Sequence, residues 1–176
     1  MKKLQRLTFV LGGAASGKSD YAEALAIATG LPRTYVATAQ AFDAEMTAKI
    51  ARHKDQRGAG WTTIEAPLAL PETLGRISPD GVVLLDCVTL WLSNLLLQDD
   101  AAPDEPVARF LSALERMAGP VIVVSNEVGQ GIVPDNALAR RFRALQGRVN
   151  REIAARADTV VAVMAGLPLA LKGPLP

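Results

Sequence analysis

Cysteine and histidine are almost missing from this sequence: each occurs once among 176 residues, as Cys87 and His53. A single thiol excludes an internal disulfide and any cysteine-based zinc cluster, and a single imidazole excludes a site that needs two per chain. Such thiol usage fits a reducing, cytoplasmic compartment. An excess of one charge is also lacking. Nineteen Lys and Arg against 18 Asp and Glu leave a formal net charge of +1, which excludes nucleic-acid or membrane-surface binding driven by bulk charge. No apolar run approaches the roughly 20 residues of a membrane span. The basic start, Met1 to Arg6, is followed only by the short apolar stretch Leu7–Leu11, less than a signal-peptide core of about 7–15 residues. There is no internal repeat at a period of about 20–50 residues and no low-complexity tract.

What is present is 49% apolar residues with 21% charged, enough to bury a sizeable core in a single domain over 1–176. Short β-branched runs alternate with helical patterns. Leu7–Leu11, Thr34–Ala37, Val82–Asp86, Val121–Ser125 and Thr159–Met164 read as strands, several of them almost wholly apolar, as suits a parallel sheet covered on both faces. Thr62–Ala66 and Leu169–Lys172 are weaker and suit edges. Helices are expected over Asp20–Thr29 with Gly30 as its stop, over Ala44–Lys54 capped by Asp43, and over Leu90–Leu97, Val107–Met117 and Asn136–Ala157. In the last, Leu138, Phe142, Leu145, Val149 and Ile153 form one apolar stripe. Ala66–Pro71 and Asp99–Pro106 read as loops, the second exposed because it carries four acids and two prolines. The order predicts an α/β domain, a mostly parallel sheet flanked by helices, with right-handed crossovers and antiparallel strands only at its edges.

Gly12-Gly13-Ala14-Ala15-Ser16-Gly17-Lys18-Ser19 fits G-x-x-x-x-G-K-[ST] in full, after a buried strand and before a helix, the context the motif requires. Glycines let successive amides turn inward on phosphate oxygens, and the helix adds its positive end. Lys18 supplies a point charge to the β- and γ-phosphates, and the Ser19 hydroxyl suits Mg²⁺. Val82–Asp86 is an apolar strand ending in an acid, so Asp86 is the candidate second metal carboxylate; its alternative is a cap on the next helix.

In the segment Asp43–Arg57, spacings of 4, 3 and 4 place Met46, Ile50, His53 and Arg57 on one helical face. Arg52, Lys54 and Arg57 beside His53 disfavour imidazolium, leaving the ring neutral and nucleophilic, and attract an anion. The plain alternative is a histidine at the edge of the core.

The sequence resembles the bifunctional adenosylcobinamide kinase / adenosylcobinamide-phosphate guanylyltransferase family of cobalamin biosynthesis. The resemblance runs from about Leu7 to Lys172 and is carried by GGAASGKS (Gly12–Ser19), YVATA (Tyr35–Ala39), DAEMTAKIARHKDQR (Asp43–Arg57), WTTIEAP (Trp61–Pro67), LLDCVTLWLSNLL (Leu84–Leu96) and the stretch Val124–Asp158 with SNEVGQGIVP and GRVNREIA. It implies a RecA-like P-loop fold and two reactions: phosphorylation of adenosylcobinamide by ATP or GTP, then GMP transfer from GTP through a guanylylated histidine, here His53. By the same resemblance, nucleotide contacts map onto Ala37, Thr38, Ala39, Lys54, Asp55, Gln56, Arg57, Glu65 and Asp86. Glu65 can accept hydrogen bonds from guanine, or be a solvated edge carboxylate. Asn126 and Glu127 face phosphates or corrinoid, or cap the turn around Gly129 and Gly131. The sequence departs from the family at Ala15 and Lys49, where Arg is usual, so relative kinase efficiency is where a difference is expected. Arg140, Arg141, Arg143, Arg148 and Arg151 form a solvated helix face or a subunit or corrinoid contact, and the family implies a homotrimer. Two other readings compete: a P-loop kinase of a small metabolite in which His53 is structural, and a nucleotide-gated regulatory module.

Overall fold

A computed structural model of the chain describes residues 4–40, 57–98 and 103–176. The expected helix Ala44–Lys54 with its Asp43 cap, and the candidate residues His53, Lys54, Asp55 and Gln56, lie outside the described residues.

The described elements run β1 (Leu7–Gly12), α1 (Lys18–Ala28), β2 (Arg33–Ala37), β3 (Trp61–Glu65), α2 (Leu70–Leu74), β4 (Val82–Asp86), α3 (Val88–Gln98), α4 (Asp104–Arg116), β5 (Val121–Asn126), α5 (Ala137–Arg156), β6 (Thr159–Met164) and β7 (Leu167–Lys172). The seven strands form one sheet in the order β3-β2-β4-β5-β1-β6-β7. All neighbours pair in parallel except β6 and β7. Both weak strand candidates are therefore real and are the two sheet edges.

Side chains alternate across the sheet, so each buried strand feeds two cores. Leu7, Phe9, Val36, Val83, Leu85, Val121 and Val123 meet Trp91, Phe110, Leu114, Val149 and Ile153, residues of α3, α4 and α5. Val10, Tyr35, Val82, Leu84, Ile122 and Val124 meet Ala22 and Ala26 of α1 on the other face. Two covered faces explain why the strands read as unbroken apolar runs. Trp91 anchors the first core: it is fully buried, lies 5.0 Å from the Phe110 ring, and donates its indole N–H to the Leu68 carbonyl at 3.0 Å.

Three expectations are corrected. The loop over Asp99–Pro106 does not extend that far: α4 begins at Asp104, with Pro103 as N-cap and Asp104 and Glu105 in its first turn. Acids there favour the positive helix end, and a proline in the first turn has no amide to waste, so the composition that reads as a loop is a helix start. Within Ala66–Pro71, Leu70 and Pro71 already belong to α2, with Leu70 and Leu74 buried. In α5 the apolar stripe does not reach its start. Leu138 is 43% exposed, and Gln146 and Asn150 join Leu145, Val149 and Ile153 among the buried residues.

Candidate functional site

The C-terminal ends of the parallel strands carry the chemistry-bearing residues. Residues 12–19 connect β1 to α1, which starts directly at Lys18 with no side-chain cap on its amides. A helix start left uncapped keeps donors for an anion. Gly13, Ala14 and Ala15 are exposed, whereas Lys18 is 8% exposed, and its ammonium donates to the Gly13 carbonyl at 3.2 Å across the loop.

The loop is held in shape from outside. The amide of Gly166, in the β6–β7 turn, donates to the Ser16 carbonyl at 2.8 Å. Ala165 and Gly166 both have positive φ, 50° and 78°, the twist a two-residue hairpin requires. Two glycines are demanded here. A Cβ on Gly12 would lie 2.5 Å from the Val163 carbonyl oxygen, and Gly17 sits at φ 89° with its Cβ position 3.1 Å from the Gly166 Cα.

Asp86 ends β4, which is separated from β1 by β5. Ala37 is level with Asp86 on one side and Glu65 on the other, so the register brings these three candidates to one line. Alternation from Val82 and Leu84 puts Asp86 on the α1 face. The Tyr35 hydroxyl donates to Asp86 Oδ2 at 3.2 Å. The guanidinium of Arg57 lies 3.5 Å from the Tyr35 ring centroid. Burial first, then the Asp86 charge, raise the Tyr35 pKa, so the hydroxyl remains a donor. Glu23, half-buried on α1, belongs to the same cluster. Its pKa is pushed up to about 7, mainly by burial, with Asp86 and Asp20 raising it and Arg57 opposing.

Thr38, expected among nucleotide contacts, has its side chain occupied within the protein. It is fully buried; its hydroxyl donates to the Cys87 carbonyl at 2.7 Å and accepts from the Cys87 amide at 2.9 Å. Asn94 Nδ2 donates to the Thr38 carbonyl at 2.8 Å and to that of Pro67 at 3.0 Å. Thr38 therefore fixes the chain just after Asp86. Glu65 is exposed at the outer strand, and Cys87 is buried with its thiol pushed up to about 11, chiefly by burial, so it is inert.

A further set of residues fixes the end of β5, between the phosphate loop and Asp86. Ser125 Oγ donates to Asn150 Oδ1 at 2.7 Å. Gln146 Nε2 donates to Ser125 Oγ at 2.7 Å and to Asn150 Oδ1 at 2.9 Å. Asn150 Nδ2 donates to the Asn126 carbonyl at 3.0 Å, the Asn126 amide to Thr89 Oγ1 at 2.8 Å, and the Glu127 amide to the Gly12 carbonyl at 3.0 Å. Beyond them, Glu127 Oε1 accepts from the Gly129 amide at 2.6 Å and Arg143 donates to the Gly129 carbonyl, so the local-turn alternative for Glu127 is realised. Sequence reading passed over Tyr35, Glu23, Asn94, Gln146 and Asn150. The signal for the last two was available: polar residues four apart beside Leu145 and Val149.

Of the helix arginines, Arg140 donates to the Pro134 and Asp135 carbonyls, and Arg148 pairs with Asp104 and Glu152. With Arg143 on the Gly129 carbonyl, these three act within the chain.

Among the described residues no group of three or more His, Cys, Asp or Glu can hold a metal ion. Mg²⁺ sites draw one or two oxygens from protein and the rest of the shell from water and phosphates. A serine hydroxyl and one carboxylate, Ser19 and Asp86, are a donor set of that kind.

Comparison with known proteins adds the family. Residues 8–171 match the family described as cobinamide kinase / cobinamide phosphate guanyltransferase. This chain belongs to that family. Among relatives, the bifunctional adenosylcobalamin biosynthesis protein CobP of Pseudomonas aeruginosa is 48% identical over 166 residues, covering 93% of this chain and 96% of the relative. The bifunctional adenosylcobalamin biosynthesis protein CobU of Salmonella typhimurium is 40% identical over 181 residues, covering 94% of this chain and 99% of the relative. Among solved structures, the RadB recombinase shares the fold with a TM-score of 0.55 at 16% identity, over 91% of this chain and 74% of the other. The cobinamide kinase / guanyltransferase chain thus has a RecA-like P-loop fold with an antiparallel edge pair, as its sequence implied.

Proposed function

We propose that this chain, acting as one catalytic domain, carries out both reactions named for its family. In the first, the hydroxyl oxygen of the aminopropanol arm of adenosylcobinamide attacks the γ-phosphorus of ATP or GTP, loses its proton, and the nucleoside diphosphate leaves. In the second, the imidazole of His53 attacks the α-phosphorus of GTP and pyrophosphate leaves. An oxygen of the new substrate phosphate then attacks that phosphorus, the P–N bond breaks, and adenosylcobinamide-GDP is released with His53 restored.

The observation that carries this reading is the phosphate loop of residues 12–19, with Lys18 curled over it, in a chain matched to the family over residues 8–171. The loop amides and the open start of α1 bind the triphosphate, and Lys18 offsets charge that grows on the β- and γ-oxygens as a bond to phosphorus breaks. Ser19 and Asp86 would hold Mg²⁺, which when bound neutralises phosphate charge. Arg57 adds a cation near the carboxylates. Nucleotide contacts at Ala37, Ala39, Lys54, Asp55, Gln56 and Glu65 are part of the reading, the carboxylate of Glu65 as acceptor for guanine.

The reading includes a homotrimer in the cytoplasm. The outer strand β7 supports association: Leu167, Leu169 and Leu171 are 72%, 57% and 58% exposed on a sheet edge that no other strand among the described residues pairs, a feature that isolated domains avoid. No helix among the described residues is long and apolar enough to cross a membrane.

The test is product analysis. Adenosylcobinamide with ATP alone should give only the phosphorylated corrinoid. Addition of GTP should convert it to adenosylcobinamide-GDP with release of pyrophosphate. Phosphorylation without any guanylylated product would reduce the chain to a kinase.

A further inference from the structure

We propose that Tyr35 is a positioning residue serving both half-reactions, its hydroxyl aiming the Asp86 carboxylate and its ring seating the Arg57 guanidinium. This rests on the reading of Asp86 as a metal carboxylate and of Arg57 as a nucleotide contact.

Tyr35 lies in β2, one strand from the sheet edge, 6% exposed and packed in the α1-side core. A phenylalanine would fill that place equally well, and a buried hydroxyl needs a partner. The partner it has is Asp86 Oδ2, at 3.2 Å. The main chain of Asp86 is held as well, because its carbonyl accepts from the Thr38 amide at 3.3 Å. A carboxylate gripped at one oxygen and at its backbone presents its second oxygen in a fixed direction, as an octahedral cation demands.

The ring is equally constrained. The Trp61 ring meets it at 6.1 Å and 87°, and the Arg33 guanidinium lies 5.4 Å from the Trp61 centroid. On this braced ring sits Arg57, at 3.5 Å. Its cation acts on Glu23 against the charge of Asp86. One side chain thus touches the carboxylate expected to hold the metal and the cation that closes the histidine-bearing segment.

Two variants separate the two contacts. Tyr35→Phe removes the hydroxyl and keeps the ring; Tyr35→Leu removes both. Mn²⁺ affinity in the presence of GDP, read from the free-ion EPR signal, reports the first contact without turnover. The KM for GTP in the guanylylation half-reaction reports the second, and thermal midpoints check folding. Tyr35→Phe should weaken Mn²⁺ binding about tenfold, the size of a lost hydrogen bond to a charged group, with the KM for GTP within about twofold of wild type. Tyr35→Leu should weaken Mn²⁺ binding similarly and also raise the KM for GTP about two- to fivefold. Should Tyr35→Leu fail to fold, Arg57→Gln supplies the second arm: it should raise that KM by the same factor, about two- to fivefold. Wild-type Mn²⁺ affinity in Tyr35→Phe, beside a clear loss in Asp86→Asn, would overturn the proposal and leave Tyr35 as packing. Wild-type affinity in Asp86→Asn itself would overturn the reading of Asp86 on which the proposal stands.

Discussion

Replacing Asn150 by alanine tests how firmly the end of β5 is built. Asn150 accepts from Ser125 and Gln146 and donates to the Asn126 carbonyl, at 2.7, 2.9 and 3.0 Å. Ser125, Gln146 and Asn150 are 0%, 0% and 6% exposed, so water cannot simply replace the lost groups. Truncation takes one partner from the Ser125 hydroxyl, which keeps Gln146 and has Thr89 Oγ1 at 3.5 Å, and strands one Gln146 N–H and the half-buried Asn126 carbonyl. At roughly 1–3 kcal/mol for each stranded buried group, with partial relief because Gln146 keeps its bond to Ser125, the loss should be about 3–5 kcal/mol. That is a large share of the 5–15 kcal/mol typical of a whole domain, and corresponds to a Tm lower by about 10 °C for a chain of this size. The assay is thermal and denaturant unfolding followed by circular dichroism. Arg151→Ala, on the exposed side of the same helix, is the control and should change stability by less than about 0.5 kcal/mol. A loss below about 1 kcal/mol in Asn150→Ala would refute the reasoning, because the network would then be dispensable to the fold.

Other outcomes follow from the same geometry. Lys18→Ala should lower both activities by at least about 100-fold, since one loop serves both triphosphate reactions; separate kinase and guanylyltransferase assays check it, and near-normal kinase turnover would sink the shared loop. Gly12→Ala should cost about 1–3 kcal/mol of stability and weaken nucleotide binding, because the added Cβ meets the Val163 carbonyl at 2.5 Å, main chain that cannot turn aside; denaturant unfolding and nucleotide titration measure both. Glu23 has its pKa raised from 4.5 to about 7, so the folded chain binds the extra proton between these values. Its stabilising effect is fully present below pH 4.5 and is lost as pH rises through 7. The difference is about 1–2 kcal/mol after allowance for solvent screening. Tm against pH should therefore fall more steeply across this window in wild type than in Glu23→Gln.

The central strands and the phosphate loop were legible because their signals are local. Apolar runs of five or six residues mark covered strands, and the loop motif names its own neighbours. Edge strands β3 and β7 were read weakly for a physical reason: only one face or neither is buried, so their patterns are mixed. The start of α4 was misread because Asp104, Glu105 and Pro106 suit a loop and a helix start alike, and only the buried Val107, Phe110 and Leu111 decide between them. Lys18, Ser19, Asp86 and Glu65 are candidates that motif or resemblance names directly. Tyr35, Asn94 and Asn150 did not, because what matters in them is a partner 51, 56 or 25 residues away. Thr38 shows the converse. Resemblance pointed to its segment as a nucleotide contact, and packing shows that its hydroxyl serves the Cys87 peptide.

Intact-mass measurement after incubation with GTP alone decides whether His53 carries GMP between GTP and the corrinoid phosphate. Wild type should gain one guanylyl group per chain, labile to acid, stable to alkali, and formed poorly below about pH 6, where an ordinary imidazole becomes protonated. His53→Ala should gain no such group and keep most of its kinase activity. Adenosylcobinamide-GDP formed by wild type with no trapped adduct, or full GMP transfer by His53→Ala, would contradict that role of His53 and make direct attack of the substrate phosphate on GTP the mechanism.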